Sequence, residues 1–154
     1  MIKKIFFTFL LCLVSNCGYD SIYSKKNLKM YDFSINKIDF TGDKTINIKL
    51  KQKLFGYYKI ERNKNYTLNI NTSSNREIIS KNAKGEILIF QNTVEIIVHV
   101  NEGDALKTKF KFIEKFKYPN KIDKFQLTQY EKQIKNSVAE NIAGQLISKI
   151  TTLK

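Results

Sequence analysis

The segment KFKFIEKFKYP, residues 109–119, alternates with a period of two. Phe110, Phe112, Phe116 and Tyr118 fall on one side, and Lys109, Lys111, Lys115 and Lys117 on the other. Such alternation predicts a half-buried β-strand, with rings inward and ammonium groups toward water or an anion. Pro119 closes it, because proline has no N–H to give to a ladder. A strand with one apolar face needs a covering layer, and the sequence supplies one directly after it. From Thr128 onward, Ile134, Val138, Ile142, Leu146 and Ile150 recur every four residues, and Ala139, Ala143 and Ile147 widen the stripe. That is the period of an amphipathic helix, and Thr128 with Glu131 has capping-box spacing at its start.

The preceding residues read as partners for this strand. Ile87–Val100 is a β-branched run in which Val94, Ile96, Val98 and Val100 share a face, while Ile87 and Ile89 fall in the opposite phase. A bulge near Gln91 and Asn92 is the expected reconciliation. Tyr66, Leu68, Ile70 and Thr72 alternate with Thr67, Asn69 and Asn71, and an irregularity is expected over Ser73–Asn75, before Ile78, Ile79 and the Asn82–Gly85 turn. Phe33, Ile35, Ile38 and Phe40 form a first strand whose phase changes at Asn36 and Lys37. Between these strands, Thr45–Phe55 carries Ile46, Leu50 and Leu54 four apart. Asp43 or Thr45 as N-cap and Gly56 as stop favour a helix there. The order β-α-β-β-β-α predicts an α+β fold: a small, mostly antiparallel or mixed four-stranded sheet with two helices packed on one face. At 154 residues the chain has room for one such domain.

The N-terminus reads differently. Lys3 and Lys4 precede Ile5–Val14, a stretch that is apolar except for Thr8 and is too short to cross roughly 30 Å of hydrocarbon as a helix. A basic start, a short apolar stretch and small or polar residues after it match an export signal. Val14, Ser15, Asn16 and Cys17 resemble the lipobox of bacterial lipoproteins, with Asn16 where Gly, Ala or Ser is commoner. This divides the chain into a signal over residues 1–16, a lipidated tether over 17–31 and a domain over 32–154. Cys17 is the lipidation site by that resemblance, its thiol carrying a diacylglycerol and fatty acyl groups, and no other cofactor is expected. Gly18, where lipoproteins kept in the inner membrane commonly carry aspartate, favours the outer membrane.

Candidate chemistry is sparse. His99 is the only histidine, no nucleophile or metal motif is present, and no catalytic residue is assigned. The net charge of +13 falls to +11 without residues 1–16. All but two of the basic residues are lysine; only Arg62 and Arg76 offer the planar fork that reads bases and grips phosphates in pairs. This favours anionic lipid over nucleic acid as a partner.

The Cys17-Gly18-Tyr19 opening, the tether to Tyr23, the order of elements and the closing amphipathic helix together resemble LptE, the lipoprotein of lipopolysaccharide assembly. The resemblance implies a non-enzymatic plug seated in the LptD β-barrel, which helps that barrel assemble and binds lipopolysaccharide on its way to the outer leaflet. It implies an outer-membrane location, lipid-anchored and facing the periplasm or the barrel lumen. Strand faces rich in Asn and Thr suit a polar lumen wall. Arg76, Lys81 and Lys84 around the second hairpin, with Lys109 and Lys111 on the facing strand, are the candidate anion patch, against the alternative of a solvated lysine face. A generic outer-membrane lipoprotein that binds another envelope protein or peptidoglycan is the second reading, and a cytoplasmic polyanion-binding domain the third.

Overall fold

The computed structural model describes residues 31–121 and 123–153, within one compact unit, Tyr31–Lys154. Cys17, the signal and residues 17–30 of the tether lie outside the described residues. The elements run β1 (Phe33–Gly42), α1 (Lys44–Leu54) with a 3-10 turn at Phe55–Tyr57, β2 (Lys64–Lys81), β3 (Ile87–Glu102), β4 (Ala105–Pro119) and α2 (Lys124–Thr151). This is the expected α+β order.

The sheet order is β1-β2-β3-β4; β1 and β2 are parallel, while β3 runs antiparallel to both β2 and β4. The parallel pair follows from connectivity, since α1 returns the chain so that β2 starts beside the start of β1. Side chains alternate across the pleat. Tyr66, Leu68, Ile70 and Thr72 of β2 and Val94, Ile96, Val98 and Val100 of β3 are buried, as are Phe112 and Tyr118 of β4. They meet Ile46, Leu50 and Leu54 of α1 and Ala139, Ile142, Ala143, Leu146 and Ile150 of α2. Ile134 and Val138 continue the α2 stripe half-buried. Beyond this core, Phe90, Tyr118 and Leu127 form a satellite cluster toward the β2–β3 turn, flanked by Ile87, Phe116 and Tyr130.

The junction between β1 and α1 is tightly built. Gly42 has φ +94°, and a Cβ there would stand 1.7 Å from the Thr72 carbonyl oxygen, so only glycine fits. That carbonyl accepts the Asp43 N–H at 3.1 Å. The buried Thr72 hydroxyl donates to Asn47 Oδ1 at 2.8 Å. Asp43 caps α1, its Oδ1 accepting the N–H groups of Thr45 and Ile46 at 2.9 and 3.1 Å. Lys49 and Lys53 of α1 both pair with Glu140 of α2.

Three local expectations change. The bulge expected at Gln91 and Asn92 is absent; the ladder is regular there, and the register shifts instead near the turn, where Ile78 faces Phe90, Ser80 faces Ile89 and Lys81 faces Ile87. β2 runs unbroken through Ser73–Asn75, each residue paired with β3. Thr128 does not start α2. Asp123 is the N-cap, its Oδ1 taking the Phe125 and Gln126 N–H groups, and the Thr128 hydroxyl donates to the Lys124 carbonyl from inside the helix. Glu131, freed from a capping role, accepts instead from Tyr118 and Arg76. The shift expected at Asn36 is present, between Ile35 and Lys37.

Candidate anion-binding face

Burying one face of the sheet leaves the other to solvent. It carries Thr67, Asn69, Asn71, Ser73 and Asn75 from β2, and Gln91, Thr93, Glu95, Ile97 and His99 from β3, none of them buried. From β4 it carries Lys109, Lys111, Ile113, Lys115 and Lys117, all exposed. The register sets Lys109 opposite His99, Lys111 opposite Ile97, Lys115 opposite Thr93 and Lys117 opposite Gln91. One acid offsets this row: Glu95 Oε2 lies 3.0 Å from Lys111 Nζ. Lys109, Lys115 and Lys117 form no ion pair among the described residues, which leaves three ammonium groups along a polar, Asn- and Thr-rich wall. Such groups bind anions as point charges, without the geometric selectivity of a guanidinium fork.

The five residues expected to form one patch lie in three places. Arg76 is on the helix side of the sheet, where its Nη1 donates to Glu131 Oε1 at 3.0 Å and its guanidinium lies 4.8 Å from the Phe90 ring centroid. The Tyr118 hydroxyl donates to the same Glu131 oxygen at 2.7 Å. Burial and the neighbouring Glu131 carboxylate push the Tyr118 phenol well above its ordinary range. Arg76 thus closes a link between β2, β4 and α2. Lys81 and Lys84 sit at the far turn, where the Lys84 N–H donates to Asn82 Oδ1. Lys109 and Lys111 lie ten to twelve positions farther along β3 than Lys81, about 33–40 Å at roughly 3.3 Å per residue. One anionic headgroup does not span that distance.

The lysines nearer the Lys81–Lys84 turn are Lys115 and Lys117. Their alternation in the sequence marked the face they share but not how far along it they stand. A second feature was not expected: a groove of about 260 Å³ between β1 and α1, lined by Ile38, Phe40, Lys51, Phe55 and Tyr58. Among the described residues no three His, Cys, Asp or Glu side chains stand together as metal ligands, and no helix is long and apolar enough to cross a membrane.

A four-stranded sheet with one polar open face and two helices on the other is a fold found in bacterial lipoproteins. The chain is similar to rare lipoprotein B of Shewanella oneidensis, with TM-score 0.58 and 15% identity over 77% of this chain and 98% of that one. It is similar to a minor lipoprotein of Acinetobacter baumannii, with TM-score 0.57 and 14% identity over 79% and 91% of the two chains. A third likeness is to a lipoprotein B of Nitrosomonas europaea, with TM-score 0.50 and 11% identity over 79% and 86%. No protein-family model and no curated protein sequence matches the chain.

Proposed function

We propose that this protein is an LptE-like lipoprotein of the outer membrane: a non-enzymatic adaptor, anchored through an acylated Cys17, that seats in an LptD-like β-barrel and assists lipopolysaccharide transport to the outer leaflet. The observation that carries the reading is the extent of the shared fold, which takes in 98% of the rare lipoprotein B structure and 77% of this chain. The unpaired lysines of β4 support it by their sign, because lipopolysaccharide presents phosphates and acidic sugars. The Asn and Thr side chains of the same face suit contact with a polar lumen wall. Acyl chains contribute about 0.8 kcal/mol per buried methylene, so two or more hold a small domain firmly on a bilayer.

Three measurements test this. Growth with radiolabelled palmitate should label the protein and leave Cys17→Ser unlabelled. Purification in mild detergent should bring down a large β-barrel. Lipopolysaccharide binding at low salt should weaken severalfold in Lys109→Glu/Lys115→Glu/Lys117→Glu and hold in Lys81→Glu/Lys84→Glu. Labelling without a barrel partner would favour the generic lipoprotein, and an unacylated intact Met1 would remove the proposal.

A further inference from the structure

The groove between β1 and α1 belongs to a larger surface. On α1, Lys44, Ile48, Lys51 and Phe55 follow one another at spacings of four, three and four, which places them on one stripe. The stripe faces away from Ile46, Leu50 and Leu54, the buried side of the helix. Its apolar members stand in solvent: Ile48 is 49% exposed and Phe55 68%. Phe55 and Lys51 also line the groove with Ile38, Phe40 and Tyr58, and the Phe55 and Tyr58 rings stack at 6.5 Å. Lys59 Nζ lies 5.3 Å from the Tyr58 centroid. Lys44 and Lys51 form no ion pair among the described residues.

A set of large apolar and aromatic side chains, Ile48 and Phe55 exposed and Ile38, Phe40 and Tyr58 half-buried, rimmed by lysines, fits one chemistry well. Rings and aliphatic chains enter the boundary between headgroups and acyl chains, while ammonium groups reach anionic headgroups. The position of the surface favours the same occupant. Tyr31, the first described residue, packs edge-on against Tyr57 at 5.4 Å, in the same 3-10 turn that begins with Phe55. It follows Cys17 by 14 residues, a length of chain that reaches at most about 50 Å. The β2–β3 turn lies at the other end of the sheet, since β2 starts beside Phe33 and runs away from it for 18 residues. With Cys17 as the anchor, the tethered end of the domain carries Phe55 and Tyr58, and the stripe runs from there toward Lys44, beside Gly42.

We propose that the surface formed by Ile48, Phe55, Tyr58, Ile38 and Phe40, with Lys44, Lys51 and Lys59, is a second, non-covalent contact with the bilayer, specific for anionic phospholipid. This rests on the reading of Cys17 as the lipid anchor. A single contact of this kind is weak, and together with a covalent anchor it fixes the orientation of the domain on the membrane.

The chain has no tryptophan, so one introduced tryptophan reports alone. Full-length acylated Phe55→Trp and Leu88→Trp, the latter near the far turn, are reconstituted into vesicles of phosphatidylethanolamine and phosphatidylglycerol containing brominated acyl chains. The expected result is quenching at residue 55 at least about twofold stronger than at residue 88, with a blue-shifted emission. Lys44→Glu/Lys51→Glu/Lys59→Glu should reduce the difference, as should about 0.5 M salt or vesicles without phosphatidylglycerol. Equal quenching at the two positions in protein whose mass shows an acylated Cys17 overturns the proposal and leaves the anchor standing. Shielding of residue 55 only when a barrel protein is co-reconstituted also overturns it. A mass without acyl groups removes the anchor reading, and the proposal with it.

Discussion

Lys135 Nζ of α2 lies 2.8 Å from Asp43 Oδ2, while the other oxygen of the same carboxylate caps α1. One side chain thus ends β1, starts the first helix and ties it to the second. Burial opposes ionisation of Asp43, but the Lys135 hydrogen bond, the Ile46 and Thr45 N–H groups and the lysine charge outweigh it and hold the carboxyl below its ordinary value of 3.8. A carboxyl lowered in the folded state contributes stability above that value and loses it as pH falls through the folded one.

Asp43→Ala should therefore destabilise the domain by about 1–2 kcal/mol through the lost cap. A double-mutant cycle with Lys135→Met should return a coupling of about 1 kcal/mol. In urea titrations stepped downward from pH 5, Asp43→Asn should show a shallower loss of stability below about pH 4 than the parent. Parallel curves would mean that other carboxylates govern acid unfolding.

Gly42→Ala should be among the most damaging single-methyl changes in the chain. The new Cβ meets the Thr72 carbonyl oxygen and the backbone sits at φ +94°, a combination expected to cost about 3 kcal/mol or more. Gly85→Ala, also at positive φ but with nothing within 4 Å of a Cβ, should cost about 1 kcal/mol. Equilibrium unfolding of the two variants side by side checks the contrast.

Alkaline pH should act through Tyr118. Burial and then Glu131 raise its phenol above the ordinary value of 10.0 in the folded state, so stability holds below pH 10 and falls above it as the unfolded chain ionises first. Tyr118→Phe should cost about 1 kcal/mol at neutral pH and flatten the alkaline slope. Tyrosinate absorbance of the folded protein should show one group fewer titrating above the ordinary tyrosine range in the variant.

Ile142→Ala, at a fully buried position of α2, should cost about 2–5 kcal/mol. Ile113→Ala, half-exposed on the open face, should stay within about 0.5 kcal/mol. A comparable loss at residue 113 in the isolated protein would mean that the open face is covered after all.

Which features are legible in the sequence depends on the range of the interactions that make them. The alternation of Phe110, Phe112, Phe116 and Tyr118 and the four-residue stripe of α2 are local consequences of burying one face, and both are plain in the sequence. The start of α2 was not, because Asp123 and Thr128 are both good caps, and Glu131, which made the Thr128 box attractive, answers to Tyr118 and Arg76. Those partners are remote in sequence. The site of the bulge is hidden for a related reason: the phase change of Ile87 and Ile89 is visible in the sequence, but where it is absorbed depends on Ser80 and Lys81 across the ladder. The anion patch failed to assemble on the same ground, since proximity of Lys84 to Lys109 needed a register that spacing along one strand does not give. The Lys44–Phe55 stripe is legible only as helical spacing, because its neighbours Ile38 and Phe40 come from a strand earlier in the chain.

The position of α2 in the chain has a consequence for the order in which the domain can close. Everything before Lys124 can emerge and pair into strands, yet Val94, Ile96 and Val98 then lack the layer that Ile142, Leu146 and Ile150 provide. α2 thus acts as a latch on strands that all precede it in the chain. Until α2 docks, the part of the apolar sheet face that α1 does not cover stays open, and a holding chaperone would find its binding site there.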